Sequence, residues 1–344
     1  MTAHSAQPRV LVAVIASVIS GMLVALQSRI NGEFGLALGN GFLAALLSFS
    51  IGLAILGTVL LFRRKGRSGL ATVGRAIRAG DVPWWAVIGG AGGGFLVLTQ
   101  GLSAGVLGVA LFTIAVVTGQ TLGALVIDTR GWFGAPRVKL NVWRIVGALI
   151  VLAGVFVALD VTPGDADVMG VLFLLPLLAG AGTGFQQAVN GRVRTVAGSA
   201  LSATFVNFLV GAVVLAITFV IALPFTGAAV AWPTTWWLWV GGAVGAFFIA
   251  IQVTAVTIIG VLGMGVSLVA GQLVGSGHPG RDCTGGDLRS SSGHCDRSCC
   301  HPRRFGDGDS VKKALVAFVK LQGERVHAVA LTGGGADRIV EQVP

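Results

Sequence analysis

The sequence predicts an all-α integral membrane protein, and three observations predict it. Of its 344 residues, 54% are hydrophobic and only 11% charged, with a mean hydropathy of +0.85, where soluble domains carry roughly 25% charged residues. Between residues 8 and 276, apolar windows follow one another with short connections, several of them reaching the roughly 20 residues that a helix needs to cross a hydrocarbon core. These windows lack the strict alternation of a barrel strand. Backbone in lipid must also satisfy its own hydrogen bonds, which leaves helices.

Taken in order, the first helix is expected over 10–27; no small-residue cleavage site follows it, so it reads as a retained span and not as a signal peptide. The second, 41–62, stops at a basic run beginning with Arg63. The apolar stretch 84–127 is too long for one crossing at 1.5 Å per residue and divides at "TQGLSAG" into helices over 83–100 and 104–127. Helices over 142–159, 168–187 and 200–223 follow. The stretch 236–276 divides at "IQVTAVT" into 236–253 and 254–276, for an expected total of nine.

An internal repeat organises them. A shift of 159 residues places "QSRINGEFGLALGNGFLAALLSFSIG" on "QQAVNGRVRTVAGSALSATFVNFLVG", so that Gln27 meets Gln186, Asn31 meets Asn190, Gly39 meets Gly198 and Phe49 meets Phe208. A shift of 152 places "WWAVIGGAGGGF" on "WWLWVGGAVGAF" and "VVTGQTLGA" on "LVAGQLVGS", pairing Gln100 with Gln252 and Gln120 with Gln272. Glycine-rich helices match by chance at glycines, but not at Gln, Asn and Trp in the same order. The expected domains are therefore 1–160, a first unit of five helices, and 168–276, a second unit with four. An odd number of crossings turns the second copy upside down.

The charges agree with that inversion. Arg63, Arg64, Lys65, Arg67, Arg75 and Arg78 lie in the loop after the second helix against one acid, Asp81, which places that loop and the N-terminus in the cytoplasm by the positive-inside rule. Arg130, Arg137, Lys139, Arg192 and Arg194 then also fall inside, while Asp160, Asp165 and Asp167 fall outside. This accounts for the formal charge of +10 without nucleic acid, for which a basic stripe with stacking aromatics would be needed. Trp84, Trp85, Trp232, Trp236, Trp237 and Trp239 sit at helix ends as interfacial anchors.

From residue 277 the chain changes character. The 152-residue shift calls for a partner to "LVIDTRGWFGAP" and then a tenth helix, but residues 277–310 hold ten Arg and Asp residues, each costing roughly 2.5–3.5 kcal/mol near a bilayer centre. The expectation is a shifted reading frame near codon 276, so that 277–344 is an out-of-frame, disordered tail. "GHPG" read one base later permits Val-Ile-Leu-Asp, the counterpart of Leu125 to Asp128. A metal-binding appendage is the rival reading, since Cys283, His294, Cys295, Cys299, Cys300 and His301 are zinc-ligand types. Their spacing lacks the paired pattern of structural zinc sites, so neither metal nor cofactor is expected.

Almost no ionisable residue falls inside the helices; Glu33 and Asp128 sit at helix ends. The polar set is dominated by amides, with Gln27, Asn31, Gln100, Gln120, Gln186, Asn190, Gln252 and Gln272 as candidates to line a solute pathway, beside Ser48, Thr99, Thr118, Gln187 and Asn207. Amides donate and accept hydrogen bonds, which suits an uncharged or zwitterionic solute. They also serve as interhelical glue, and the sequence leaves both readings open. No nucleophile with a base, nucleotide loop or H-E-x-x-H appears, so an enzyme is not expected.

Two five-helix units opened by "LQSRINGEFG" and "FQQAVNGRVR", with "TGQTLGALVID" and "AGQLVGS" closing each fourth helix, resemble the YdcZ-type branch of the bacterial drug/metabolite transporter superfamily. The resemblance spans residues 10–276. It implies a ten-helix secondary transporter of the bacterial inner membrane, exporting a small polar metabolite or drug-like solute by alternating access, with the lipid bilayer as its surroundings and a homo-oligomer open. The alternatives are a non-transporting assembly or scaffold protein, or an inactive, truncated transporter lacking its tenth helix.

Overall fold

The computed structural model describes residues 6–130, 166–226 and 231–276. The expected fifth helix and everything after Ser276, including the tail cysteines, lie outside the described residues. Within them every regular element is helical: α1 (Ala6–Leu38), α2 (Gly41–Phe62), α3 (Arg64–Arg78), α4 (Gly89–Thr99), α5 (Val109–Arg130), α6 (Ala166–Ala197), α7 (Ala200–Thr226) and α8 (Gly241–Ser276). Short 3-10 turns, Trp84–Val87 and Trp236–Val240, lead into α4 and α8. Among the described residues six helical segments are long and apolar enough to cross a membrane, and Val109–Gly123 and Gly263–Ser276 are shorter apolar helices. The chain is an all-α membrane protein.

Three boundaries differ from expectation. The first helix does not stop at Gln27 but runs to Leu38, because Ile30, Phe34 and Leu38 continue its buried face at a spacing of four, and Arg29 Nε pairs with Glu33 Oε1 at 3.0 Å. The sixth does the same, through buried Val189, Val193 and Ala197. Both helices stop at a glycine in the left-handed region, Gly39 (φ +67°) and Gly198 (φ +61°), where a Cβ is disfavoured. The basic loop after α2 is itself helical, as α3. Its buried residues Gly66, Gly69 and Val73 form a narrow stripe that the surrounding charges obscure in the sequence.

The third difference concerns the breaks in the long apolar stretches. Gln100–Ala104 forms a π-helical turn, after which the chain breaks at Gly108 (φ 76°, ψ 152°). The second stretch breaks not in "IQVTAVT" but at Gly260 (φ 71°, ψ 174°), which is the partner of Gly108 at the 152-residue shift. This corner of conformational space is essentially reserved for glycine. A Cβ at either position would meet nothing within 4 Å, so any cost of adding one is purely conformational. Gly108→Ala and Gly260→Ala are expected to lose about 1–3 kcal/mol each. Gly74→Ala, on helical α3 and equally open, should be neutral or gain up to about 1 kcal/mol; thermal unfolding in detergent reads the difference.

The helices meet through glycine at near-backbone contact. A Cβ on Gly21 of α1 or Gly271 of α8 would lie 2.1 and 1.9 Å from carbonyl oxygens of Leu268 and Val18. Gly180 of α6 and Gly119 of α5 face Val116 and Leu177 in the same way, at 2.1 and 1.8 Å. Each residue of the second set lies at one of the two sequence shifts from its counterpart in the first. Where α2 crosses α7, Phe49 and Phe208 stack with ring centroids 4.6 Å apart. Gly242 abuts the Ser48 carbonyl and Gly90 that of Asn207, which brings α8 and α4 against opposite sides of this pair. At the helix ends Trp84, Trp232 and Trp236 are exposed, as interfacial anchors are. Trp239 packs on Phe34 instead, with centroids 5.0 Å apart.

Candidate functional site: an amide-lined cavity

The site begins with the periodicity of α1. Ser17, Ser20, Gln27, Ser28 and Asn31 are all fully buried on a helix otherwise rich in exposed apolar residues, so one polar stripe faces inward. Gln27 donates from Nε2 to the Gly241 carbonyl at 2.9 Å, tying α1 to the first turn of α8. Its shift partner Gln186, on α6, donates to Asn207 Oδ1 of α7 at 3.3 Å.

Between these two glutamines, around the stacked Phe49 and Phe208, lies a narrow cavity. Gln120 from α5, Thr183 and Gln187 from α6, and Gln252 and Gln272 from α8 complete its polar lining, and Leu96, Val97, Phe248 and Ile249 form apolar wall. It offers about 20 Å³ to the centre of a water-sized molecule, roughly one water. The cavity in this structure is therefore too small for anything much larger than water. Among the described residues no ionisable side chain lines it; Glu33 is paired and half-exposed, and the side chain of Asp128 lies outside the described residues.

The eight amides expected from sequence divide into two groups. Gln27, Gln120, Gln186, Gln252 and Gln272 reach the cavity; Asn31, Asn190 and Gln100 are buried behind it. Gln100 sits in the π turn, where it accepts from Asn31 Nδ2 at 2.7 Å and donates to Ser28 Oγ at 3.0 Å. Gln252, its shift partner, donates to Ser20 Oγ at 3.1 Å. Asn190 donates to Asn207 Oδ1 at 2.8 Å, so Asn207 accepts from two amides at once. Ser20, Ser28, Thr183 and the two phenylalanines were not singled out in the sequence as site residues. The signal for the serines was the three-to-four spacing of the α1 stripe; Phe49 and Phe208 were marked only as partners at the 159-residue shift, which does not distinguish a site from core packing.

Several of these groups are buried without a partner among the described residues: Gln27 Oε1, both amide atoms of Gln120, Gln272 Oε1, Asn31 Oδ1, Ser48 Oγ and Asn207 Nδ2. A buried polar group left unpaired costs about 1–3 kcal/mol. The first three residues carry theirs at the cavity itself. The arrangement binds by hydrogen bonding, with donors and acceptors both on offer and no charge.

A family model described as "Putative inner membrane exporter, YdcZ" matches two stretches of the chain, residues 12–157 and 171–278. No curated protein and no solved structure matches at a significant level.

Proposed function

Since the chain belongs to the YdcZ family of inner membrane exporters, we propose that it is a secondary carrier that exports a small, uncharged or zwitterionic polar solute by alternating access through this cavity. The observation that carries the proposal is the set of unpartnered amide atoms on Gln27, Gln120 and Gln272 in the cavity wall. Interhelical glue is bonded; these atoms have no partner among the described residues. A solute with its own donors and acceptors would satisfy them, and transporter sites form where repeats meet near the midplane.

Two inverted units, 1–160 and 168–276, with the N-terminus in the cytoplasm, are part of the same reading. The paired contacts of the glycines and the fall of the family match on two stretches support it. The second stretch ends at residue 278, which supports a shifted frame beyond codon 276. The opposed halves hold equivalent residues in different hydrogen bonds: Asn31 bonds to Gln100 within the first unit's π turn, whereas Asn190 bonds to Asn207. That asymmetry is expected of an inverted-repeat carrier in one of its two states.

Gln120→Leu separates a pathway from glue. Because neither amide atom is bonded, replacing it with an apolar side chain removes an unsatisfied pair, and the unfolding midpoint should hold or rise. Transport should fall at least about tenfold, since one lost hydrogen bond to a solute is worth 1.4 kcal/mol or more. Gln100→Leu, in contrast, breaks two bonds and should destabilise by about 1–3 kcal/mol. The assay is uptake into inverted membrane vesicles of a panel of labelled neutral and zwitterionic metabolites, beside thermal unfolding of the purified protein. A Gln120→Leu protein that unfolds early and still transports every solute the native one accumulates would refute the pathway.

A further inference from the structure

Helix α3 carries a surface with no role in the cavity. Arg63, Arg64, Lys65, Arg67, Arg75 and Arg78 are all exposed along it, and none forms an ion pair with a described residue. Arg67 turns back to donate to the Leu61 carbonyl, capping the open end of α2. Arg75 donates to Thr72 Oγ1 within its own helix. The opposite, small-residue face is committed to protein: Ser202 Oγ donates to the Gly66 carbonyl at 2.8 Å, and Gly69 lies against the Ala197 carbonyl and Ser199. So α3 clamps the turn between α6 and α7 while turning its charge outward.

Its position fixes what that charge meets. A single residue, Arg63, separates α3 from the apolar span of α2, whose last residues Leu61 and Phe62 are 68% and 81% exposed. A span that ends in exposed Leu and Phe ends at the edge of the hydrocarbon, so the cations that follow stand at the level of lipid head groups. Basic residues crowded beside a span are attracted to anionic lipid, and an amphipathic helix with exposed basic residues lies in that interface. We propose that α3 is a docking surface for anionic phospholipid, which holds the helix in the membrane plane and through it the α6–α7 turn.

The test counts lipids on the intact, purified chain by native mass spectrometry after exposure to equal amounts of phosphatidylglycerol and phosphatidylcholine. The native protein should retain phosphatidylglycerol preferentially. Neutralising three unbonded cations, Arg64→Gln, Lys65→Gln and Arg78→Gln, should cut that preference at least about tenfold while leaving retained phosphatidylcholine unchanged, which shows that the fold is intact. Added salt should have the same effect as the substitutions. Glycerol phosphate at matched concentration should not displace the lipid. Equal retention of the two lipids by the native protein, a preference that survives neutralisation, or displacement by glycerol phosphate would each overturn the proposal, the last by assigning the cations to a soluble phosphate. Loss of phosphatidylcholine along with the preference would overturn it too, by assigning these residues to folding. None of these outcomes depends on whether the cavity transports.

Discussion

Alanine at Gly242 or Gly90 should destabilise this protein's fold, whereas alanine at Gly245 or Gly93 should chiefly impair transport. All four glycines lie where α4 or α8 crosses the centre, and each pair is related by the 152-residue shift. What differs is the neighbour. A Cβ at Gly242 would stand 1.9 Å from the Ser48 carbonyl oxygen, and one at Gly90 2.1 Å from that of Asn207. Backbone of a packed helix cannot swing aside, so the helices must separate, and interiors this dense pass such strain on. Overpacking costs about 1–3 kcal/mol per site, more than the roughly 1 kcal/mol that Gly→Ala returns in helix propensity. At Gly245 and Gly93 the nearest atoms are the amide nitrogens of Gln27 and Gln186, at 2.4 and 2.6 Å. These are the ends of flexible side chains and can rotate away, which moves the cavity wall and spares the backbone; the one hydrogen bond each gives up, to the Gly241 carbonyl and to Asn207 Oδ1, is offset by the helix propensity that alanine gains. Detergent-solubilised protein should therefore show a lowered unfolding midpoint for Gly242→Ala and Gly90→Ala. Gly245→Ala and Gly93→Ala should keep a near-native midpoint with vesicle uptake reduced. The reverse ranking would mean that the cavity wall, not the glycine contacts, holds the bundle.

The class of fold was legible in the sequence because it rests on composition and window length, which survive any error in boundaries. The boundaries were less so. Gln27 and Gln187 look like helix ends because charges follow within a few residues, yet buried Ile30, Phe34 and Leu38, and Val189, Val193 and Ala197, carry both helices eleven and ten residues further. Exposed ion pairing at Arg29 and Glu33 makes that extension inexpensive. Helix α3 was hidden for the opposite reason: its buried stripe consists of two glycines and one valine, too little apolar signal to stand out among six cations. The amides of the site were found, since Gln and Asn are rare enough in apolar helices to be noticed. Which of them face the cavity could not be read, because that depends on how five helices rotate against one another.

If the proposed alternating access holds, Asn207→Ala and Ser48→Ala should move the protein between the two access states in opposite directions. The residues are shift partners on α7 and α2, but they are used differently. Asn207 Oδ1 accepts from Gln186 and from Asn190; Ser48 Oγ is buried with no partner among the described residues. If the halves exchange conformations, Asn31 leaves Gln100 and takes Ser48, while Asn190 leaves Asn207 and takes Gln252. Asn207→Ala then strands two buried donors in the present state only, and Ser48→Ala removes an acceptor that matters in the other state only. At about 1–3 kcal/mol for each stranded group, Ser48→Ala should move the equilibrium roughly 5- to 150-fold, and Asn207→Ala, which strands two donors, should move it further the other way. Single cysteines at Val24 and Thr183, shift partners that both line the closed cavity, report it. They would be placed in a chain whose Cys283, Cys295, Cys299 and Cys300 are serine. An impermeant maleimide added from one face and then the other should label them in ratios that Asn207→Ala raises and Ser48→Ala lowers, or the reverse, depending on which face the present state is closer to opening. Ratios that move together would show that the two hydrogen-bond sets are not alternatives. Ratios that do not move would show that the asymmetry between Asn207 and Ser48 is fixed in the fold and takes no part in transport.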